Sequence, residues 1–323
     1  MQEIGIKAIR HVITGQQQDV QTLPERQQLE GPEAEYYDQC GVKSIYNANE
    51  SSFELAAKAA QKLLDETGET PENIDLIIYI QSRVPQQFIS SEATHLQEYL
   101  GAKNAWAITL SGLGCADSSS ALKLAHDQLK ANRRMKQVLI AYGNCQFSSG
   151  RFRYPVTIMG DAGVAALIDK TDKNILRDIQ IQSNGKYWDL FGMDHLDQTA
   201  EAYTETCRDL RTYGFELAIE SKNRFSDLMA NTLLRQGWDK SHVHHFFMQN
   251  IASRAFQYYQ DALDLNIHPI CQMHLEKYGH LGAADILINL QGAIESGSVQ
   301  QGQNLVIMNN SPVAAWSTIV IEA

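Results

Sequence analysis

Runs of apolar residues alternate with stretches of helical periodicity along the chain. The run "WAITL" (106–110) ends in the small residues "SGLGC" (111–115), and apolar residues then recur at 121, 122, 124, 125 and 129. This spacing predicts a buried strand followed directly by a helix with one buried face. The segments "IDLIIYIQS" (74–82) and "QVLIAYGNC" (137–145) predict two more buried strands. Alternating strands and helices indicate an α/β fold.

The same order of elements occurs a second time in the chain. The second copy comprises the helix 216–237, the strand 242–249, the helix 252–264, the turn 277–285, the helix 286–297 and the strand 304–310. Superimposing the copies places Gly114-Cys115 opposite Gly279-His280, each at a small-residue turn before a helix. The next strand begins 23 residues after Cys115 and 25 residues after His280. Two pseudo-symmetric copies would therefore bring these two helix N-termini to a shared centre.

Cys115 lies where a thiol is well placed to react. The first N–H groups of a helix have no intrahelical partner, and with the helix dipole they favour an anion. A thiol there ionises more easily, and the thiolate is the nucleophile. Free cysteine also occurs simply as a small buried hydrophobe, but a matched imidazole on the second copy supplies the base that a cysteine nucleophile needs. The pairing with His280 favours a catalytic role for Cys115.

Composition and charge narrow the function classes. The chain has 323 residues, 44% of them hydrophobic, and a net charge of −11, which argues against general nucleic-acid binding. The basic stretch "KANRRMK" (130–136) is predicted to be a solvated helix end, with a docking patch for an acidic carrier or a phosphorylated cofactor as the alternative. The first 15 residues lack a basic stretch followed by an apolar run, and no apolar run approaches about 20 residues, so neither a secretory signal nor a membrane span is expected. Five cysteines without CxxC pairing favour a reducing, cytoplasmic setting.

Five motifs in order resemble the thiolase-fold condensing enzymes, most closely the β-ketoacyl-acyl-carrier-protein synthase III group. They are "GCADSSSALKLA" (114–125), "MGDAGVAALI" (159–168), "FFMQNIASRAF" (246–256), "KYGHLGAADILINL" (277–290) and "MNNSPVAAWSTIVIE" (308–322). The resemblance implies a thiolase-like five-layered αβαβα fold with two pseudo-symmetric halves. Residues 1–169 would carry the nucleophile and residues 170–323 the base, with the join near 169–175. It also implies that Cys115 is the acylated residue.

The departures from this family concern the partners of Cys115. The synthase III set is Cys-His-Asn, whereas here Gln249 stands at the histidine position and His280 at the asparagine position. The predicted set is therefore Cys115, Gln249 and His280. In this set His280 is the base and Gln249 an amide donor to the second substrate. Asn250 and Arg254, in the same segment as Gln249, are predicted to bind substrate.

The closing loop departs as well. A glycine triplet is expected where "NNSPV" (309–313) stands, and Pro312 has no N–H to donate. The predicted oxyanion hole consists of the backbone N–H groups of Cys115, Ser311 and Val313.

Other chemistry-bearing residues receive ordinary structural interpretations. "HVHH" (242–245) lacks a carboxylate or cysteine at ligand spacing, so no metal site is expected. Asp161 is predicted as a turn former, and Asp285 as a partner of the helix dipole, with orientation of His280 as the alternative. Glu92 and Asp117 are expected near the cleft without an assigned role. The aromatic residues Tyr36 and Tyr37 and those of "RFRYP" (151–155) and "KYWDLFGMD" (186–194) line an acyl channel or belong to the core.

Three functions are compatible with these residues. The first is a ketosynthase III-like enzyme that transfers an acyl group from Cys115 to a second thioester by Claisen condensation, in specialised fatty-acid or polyketide biosynthesis. The second is an acyltransferase to a hydroxyl or amine, because replacement of the His-Asn pair weakens decarboxylation. The third, a non-catalytic partner subunit, is disfavoured by the retained Cys115 and His280. We expect substrates on coenzyme A or acyl carrier protein, no cofactor, and a homodimer or a heterodimer with a paralogue.

Overall fold

The computed structural model describes residues 3–81, 89–146, 150–194 and 204–323. The strands are β1 (Ile4–Val12), β2 (Gln16–Asp19), β3 (Ser44–Asn47), β4 (Ile74–Ile80), β5 (Trp106–Leu110), β6 (Gln137–Asn144), β7 (Phe152–Arg153), β8 (Thr157–Ile158), β9 (Ala162–Lys170), β10 (Ile175–Ser183), β11 (Phe191–Asp194), β12 (Thr204–Cys207), β13 (His245–Met248), β14 (Asn304–Ser311) and β15 (Ala315–Glu322). The helices are α1 (Gly31–Gln39), α2 (Ser52–Thr67), α3 (Glu92–Leu100), α4 (Asp117–Ala131), α5 (Ala218–Gln236), α6 (Ser253–Leu263), α7 (Pro269–Tyr278) and α8 (Asp285–Glu295). Ser82, the last residue of the predicted strand 74–82, lies outside the described residues.

Nine of these strands form one sheet in the order β13-β14-β15-β10-β1-β9-β6-β4-β5. Strand β4 runs parallel to both β5 and β6, and every residue of β6 is buried. Such continuous burial is typical of parallel strands covered on both faces. At the other end β13 and β14 are parallel, and β14, β15 and β10 follow antiparallel.

One paired position, Gly5 with Ile175, joins the part of the sheet that precedes residue 171 to the part that follows it. Strand β1 otherwise pairs along its length with β9. The predicted boundary between residues 169 and 170 falls at the last two residues of β9, at this join. The division of the chain into two domains there stays a prediction.

Helices α4 and α8 lie between the two parts of the sheet. Helix α4 contacts β6, β9 and β10, and α8 contacts β1, β9 and β13. Because α8 is covered by both parts of the sheet, eight of its 11 residues are buried, among them the polar residues Asp285, Asn289 and Gln291. Helices α2 and α3 cover one outer face, and α5 covers the other with α6 packed against it. The five-layered αβαβα prediction is confirmed.

Two equivalent turns open α4 and α8. Residues Gly114–Ala116 and Gly282–Ala284 each form a 3₁₀ turn that begins with a glycine at positive φ, +57° and +65°. The next residue, Asp117 or Asp285, begins the helix and accepts a hydrogen bond from the N–H four residues before it, in both cases a leucine.

These turns correct the register of the predicted repeat by three residues. "LGCAD" (113–117) matches "LGAAD" (281–285), so Cys115 is equivalent to Ala283 and not to His280. His280 lies one residue before this turn sequence. The two turns nevertheless contact each other, and for this reason the predicted meeting of Cys115 with His280 survives the shift in register.

Candidate active site

Cys115 and His280 lie in hydrogen-bond contact. The Cys115 Sγ is 2.9 Å from the His280 Nε2, and both residues are buried. Backbone hydrogen bonds fix the histidine: its N–H donates to the Ile158 carbonyl, and its carbonyl accepts from the Gly160 N–H. The 3₁₀ turn before α4 places the sulfur at the helix N-terminus. A thiol and an imidazole from opposite halves of the chain therefore form one reactive pair.

Asp285 holds the other side of the imidazole. Its Oδ2 is 2.5 Å from the His280 Nδ1, and its Oδ1 accepts the Leu281 N–H at 2.8 Å. The Asn250 N–H donates to the same Oδ2 at 2.8 Å. With Nδ1 bound to the carboxylate, Nε2 faces the sulfur, which is the tautomer and orientation that a triad requires. The orienting role, given as the alternative for Asp285, is the one that the structure supports.

The electrostatics of the three residues favour a charged imidazole. Burial opposes the imidazolium form, but the negative charges of Cys115 and Asp285 raise the pKa of His280 to about 10. The effect of Cys115 depends on its charge, which disappears when the sulfur is acylated. The pKa of His280 is therefore coupled to the state of the nucleophile.

A cavity of about 370 Å³ opens onto Cys115 and His280. Residues distant from one another in the sequence line its apolar wall, among them Tyr36, Leu217, Ile251 and Tyr259. Of the aromatic residues predicted for an acyl channel, Tyr36 is in this wall, whereas Tyr37 and Tyr187 are buried in the core. An apolar enclosure of this kind is typical of a small-molecule site.

Gln249 lines the cavity, but its amide is bound to the backbone. Its Nε2 donates to the Asn310 carbonyl, and its Oε1 accepts the Asn310 N–H at 2.5 Å. The Gln249 side chain thus adds two hydrogen bonds to β14 immediately after Met248, where the backbone pairing of β13 with β14 ends. This bidentate contact binds Gln249 to Asn310 near the end of β14, just before the closing loop. It favours a role in positioning that loop, and the role of Gln249 as a donor to the second substrate stays a prediction.

The two predicted substrate-binding residues differ in outcome. Asn250 is fully buried and does not line the cavity, because its N–H holds Asp285 and its Oδ1 accepts from the Asn289 Nδ2. These contacts place Asn250 behind the histidine, and substrate binding by Asn250 stays a prediction. Arg254 is exposed and lines the cavity, so substrate binding by Arg254 stays a prediction.

The predicted oxyanion donors are also divided. The Val313 N–H donates to the Ser311 Oγ at 3.3 Å, and Val313 is not in the cavity wall. In this turn the Val313 N–H is engaged by the Ser311 hydroxyl, and its role as an oxyanion donor stays a prediction. Ser311 and Cys115 are both in the wall, and their N–H groups stay predictions.

The remaining sequence candidates lie outside the cavity. Strand β13 begins only at His245, and His242 belongs to a preceding 3₁₀ turn where it contacts Asp239. Within the described ranges no group of three histidine, cysteine or acidic residues is arranged to hold a metal ion. Glu92 and Asp117 do not line the cavity either.

Asp161 does more than form a turn. It accepts hydrogen bonds from the Ala48 and Gln146 N–H groups and pairs with Arg151 at 2.8 Å. This buried ion pair fixes the "MGDAG" segment (159–163), which includes Gly160, one of the two residues whose backbone contacts His280.

Sequence reasoning missed one further cavity residue, Arg153. It lies within "RFRYP", where only the aromatic residues drew attention, and it shares the cavity with Cys115 and His280. The feature of the sequence that could have indicated Arg153 is its position as a charged residue between two aromatic residues.

Comparison with known proteins agrees with this architecture. Residues 233–323 match the family 3-oxoacyl-acyl-carrier-protein (ACP) synthase III C terminal. A β-ketoacyl-acyl-carrier-protein synthase III from Pseudoalteromonas atlantica is 23% identical over 289 residues, which cover 88% of this chain and 89% of that protein.

Along the part of the chain that the structure describes, no helix is both long enough and apolar enough to cross a membrane.

Solved structures show the same fold. ChlB3, an acyltransferase, superposes with a TM-score of 0.82 at 20% identity and covers 99% of this chain and 98% of its own. The 3-oxoacyl-acyl-carrier-protein synthase III from Aquifex aeolicus VF5 superposes equally well, with a TM-score of 0.82, 20% identity and coverage of 99% and 100%. These likenesses establish a thiolase-like fold, which condensing enzymes and an acyltransferase share.

Proposed function

Because the chain is a thiolase-fold enzyme of the ketoacyl synthase III-like family, we propose that it passes an acyl group from a thioester, through Cys115, to a hydroxyl or amine acceptor. The observation that carries this proposal is the continuous contact from Cys115 through His280 to Asp285. This is the order of nucleophile, base and orienting carboxylate found in acyl-transfer triads. The names of the relatives support acyl carrier protein as the donor's carrier, and coenzyme A is the alternative carrier expected from the sequence.

The first half-reaction acylates Cys115. The thiolate attacks the carbonyl carbon of the donor, a new S–C bond forms, and the bond from that carbon to the carrier sulfur breaks. The charged His280 supplies the proton to the departing carrier thiolate. The tetrahedral oxyanion is stabilised by backbone N–H groups at the helix N-terminus, for which Cys115 and Ser311 are our candidates.

The second half-reaction uses the same imidazole in the opposite direction. Once Cys115 is acylated, its negative charge is lost and the pKa of His280 falls, so the ring stays neutral after giving its proton to the carrier and is free to act as a base. It then deprotonates a hydroxyl or amine as that group attacks the thioester. Asp285 stabilises the imidazolium that forms, Cys115 leaves as the thiolate when the acyl–sulfur bond breaks, and the proton kept by His280 restores the starting ion pair.

The geometry around Gln249 disfavours decarboxylating condensation. The resemblance implies that two side chains of the synthase III set assist decarboxylation at the second thioester. Here one of these positions is Gln249, whose amide is held by both backbone groups of Asn310. The other is His280, which is held between Cys115 and Asp285. Condensation remains the second candidate, and the names of the relatives are the observation that favours it.

Carbon dioxide release separates the two candidates. Purified protein is acylated with a panel of acyl thioesters and then given either a carboxyl-labelled malonyl thioester or a panel of alcohols and amines. We expect the loss of the acyl group to follow addition of an acceptor, without stoichiometric carbon dioxide. Release of one carbon dioxide for each acyl group consumed would instead establish condensation.

A further inference from the structure

Arg153 places a guanidinium group in the wall of the catalytic cavity. It lies on β7, whose pairing with β8 joins Arg153 to Thr157, and the Val156 N–H donates to its carbonyl at 2.6 Å. The side chain is 11% exposed and lines the same cavity as Cys115 and His280. A short, hydrogen-bonded hairpin therefore presents this charge to the nucleophile from a fixed backbone.

The guanidinium is incompletely satisfied. One Nη2 contact, at 2.7 Å, joins it to Glu205, but the Nε is buried and has no hydrogen-bond partner among the described residues. Burial opposes the charged form of Arg153, yet Glu205 and Cys115 raise its pKa, so the group stays cationic. Buried donors without a partner are uncommon in folded proteins and call for an explanation such as a ligand.

The charge of the cavity contrasts with that of the whole molecule. The chain has a net charge of −11, but the described residues of the cavity wall include Arg153 and Arg254 and no aspartate or glutamate. Arg254 is exposed, whereas Arg153 is largely enclosed. An anion in the enclosed part of this cavity therefore meets Arg153, and one at the mouth meets Arg254.

We infer that Arg153 binds a free carboxylate at the far end of the acyl group carried by Cys115, so that the donor is the monothioester of a dicarboxylic acid. This inference rests on the proposed function, because it names the acyl group in that reaction. The acyl group occupies the enclosed part of the cavity once it is attached to Cys115, while carrier and acceptor enter from the mouth. With its Nη2 bound to Glu205, the guanidinium has the Nε–H left as a charged donor, which suits one oxygen of a carboxylate.

Matched thioester pairs test this inference. Propionyl and malonyl pantetheine differ by the exchange of a terminal methyl for a carboxylate, and so do butyryl and succinyl pantetheine. The rate of Cys115 acylation is measured by intact mass spectrometry for each pair. We expect the wild-type preference for the anionic member of at least one pair to fall roughly 10- to 100-fold in Arg153→Gln, with little change for the neutral member.

Two further variants make the result specific. Arg153→Lys keeps the charge and should retain part of the preference, and thermal melting shows whether either variant is folded. Arg254→Gln should change the preference less than about threefold, because Arg254 lies at the exposed side. An unchanged preference in Arg153→Gln, equal loss of both donor classes, or loss in Arg254→Gln alone would overturn the inference.

Equilibrium binding separates this inference from the proposed function. If no thioester acylates Cys115, the proposed function fails, and the same pairs are then titrated against Cys115→Ala and Cys115→Ala/Arg153→Gln. Tighter binding of the anionic member that disappears in the double variant supports the role of Arg153. Equal binding of the two members, or no binding, contradicts it.

Discussion

His280 lies between two anionic partners, so its protonation depends on both. Cys115 and Asp285 raise the pKa of His280 to about 10 against the opposing effect of burial. Below this value the free enzyme contains the imidazolium, and above it the neutral ring. The ordinary pKa of histidine is about 6.5. Between this value and the raised pKa, the ring is protonated only because Cys115 and Asp285 carry negative charge.

Removing either neighbour should lower the pKa of His280. In Cys115→Ala and in Asp285→Asn one source of negative charge is lost, while burial continues to favour the neutral ring. NMR titration of the ring nitrogens should therefore give a lower pKa in both variants than in wild type. A pKa that is unchanged in Cys115→Ala would show that the sulfur does not influence the imidazole.

Gln249→Ala tests whether this side chain positions the loop or serves the second substrate. The substitution leaves the N–H and carbonyl of Asn310 without partners, which costs about 1–3 kcal/mol of stability. We expect a lower melting temperature and slower acylation as well as slower transfer. Normal acylation with slow transfer would instead support the donor role predicted from the sequence.

At the scale of elements, the N-termini of α4 and α8 differ in how they use equivalent aspartates. One carboxylate oxygen of Asp285 accepts the Leu281 N–H, and the other contacts the His280 Nδ1. Asp117 places one oxygen on Leu113, but its Oδ2 is buried without a partner within the described chain. Burial raises the pKa of Asp117 to about 6 although backbone N–H groups oppose this effect. The two equivalent carboxylates therefore differ: both oxygens of Asp285 have hydrogen-bond partners, whereas one oxygen of Asp117 has none among the described residues.

The unused carboxylate makes stability depend on pH. Because the pKa of Asp117 in the folded protein lies above the ordinary value of about 3.9, folding binds a proton and stability falls as pH rises from about 4 to 6. Asp117→Asn removes this loss, so it should stabilise the protein by about 1–3 kcal/mol at pH 7 and by little at pH 4. Thermal unfolding at both pH values tests this, and equal effects at the two would contradict it.

Local sequence predicted the parts of the site that depend on local geometry. Cys115 and His280 were both recognisable because each adjoins a glycine turn before a helix, and the buried strands followed from continuous apolar runs such as 74–80. The register of the repeat was misplaced by three residues because two glycines, Gly279 and Gly282, flank His280. The shared backbone turn, which decides the register, is visible only in three dimensions.

The contacts of Gln249, Asn250 and Val313 were not predictable in this way. Each depends on which backbone group of a distant segment comes within reach: Asn310 for Gln249, and Asp285 for Asn250. The N–H of Val313 is lost to Ser311 through the conformation of a single turn. Sequence motifs locate such residues near the site, but long-range pairing determines their partners.

At the scale of the whole molecule, β5 forms one edge of the nine-stranded sheet. It pairs only with β4 among the described strands, and Trp106 on it is 48% exposed. An unpaired edge with an exposed aromatic residue is a template for pairing with another chain. The homodimer expected from the resemblance, with the strands before the nucleophile at its interface, stays a prediction that this edge can accommodate.

A charge on this edge should disrupt such a dimer. Thr109 is exposed on β5, and Thr109→Lys would place like charges against each other across a twofold axis. Sedimentation velocity should show a dimer for wild type and mostly monomer for Thr109→Lys. Gln300→Lys adds the same charge in an exposed turn and should remain dimeric. A wild-type monomer, or an unaffected Thr109→Lys dimer, would contradict the prediction.

The central claim is that Cys115, His280 and Asp285 act together to form an acyl-enzyme, and rapid-quench intact mass spectrometry tests it most directly. After exposure to reactive acyl thioesters, wild type should gain one acyl group and Cys115→Ala none. Asp285→Asn should slow acylation about 10²- to 10⁴-fold, whereas Asp117→Asn, at the equivalent position of α4, should stay within about tenfold of wild type. An adduct that survives in Cys115→Ala, or equal rates in Asp285→Asn and wild type, would contradict the account.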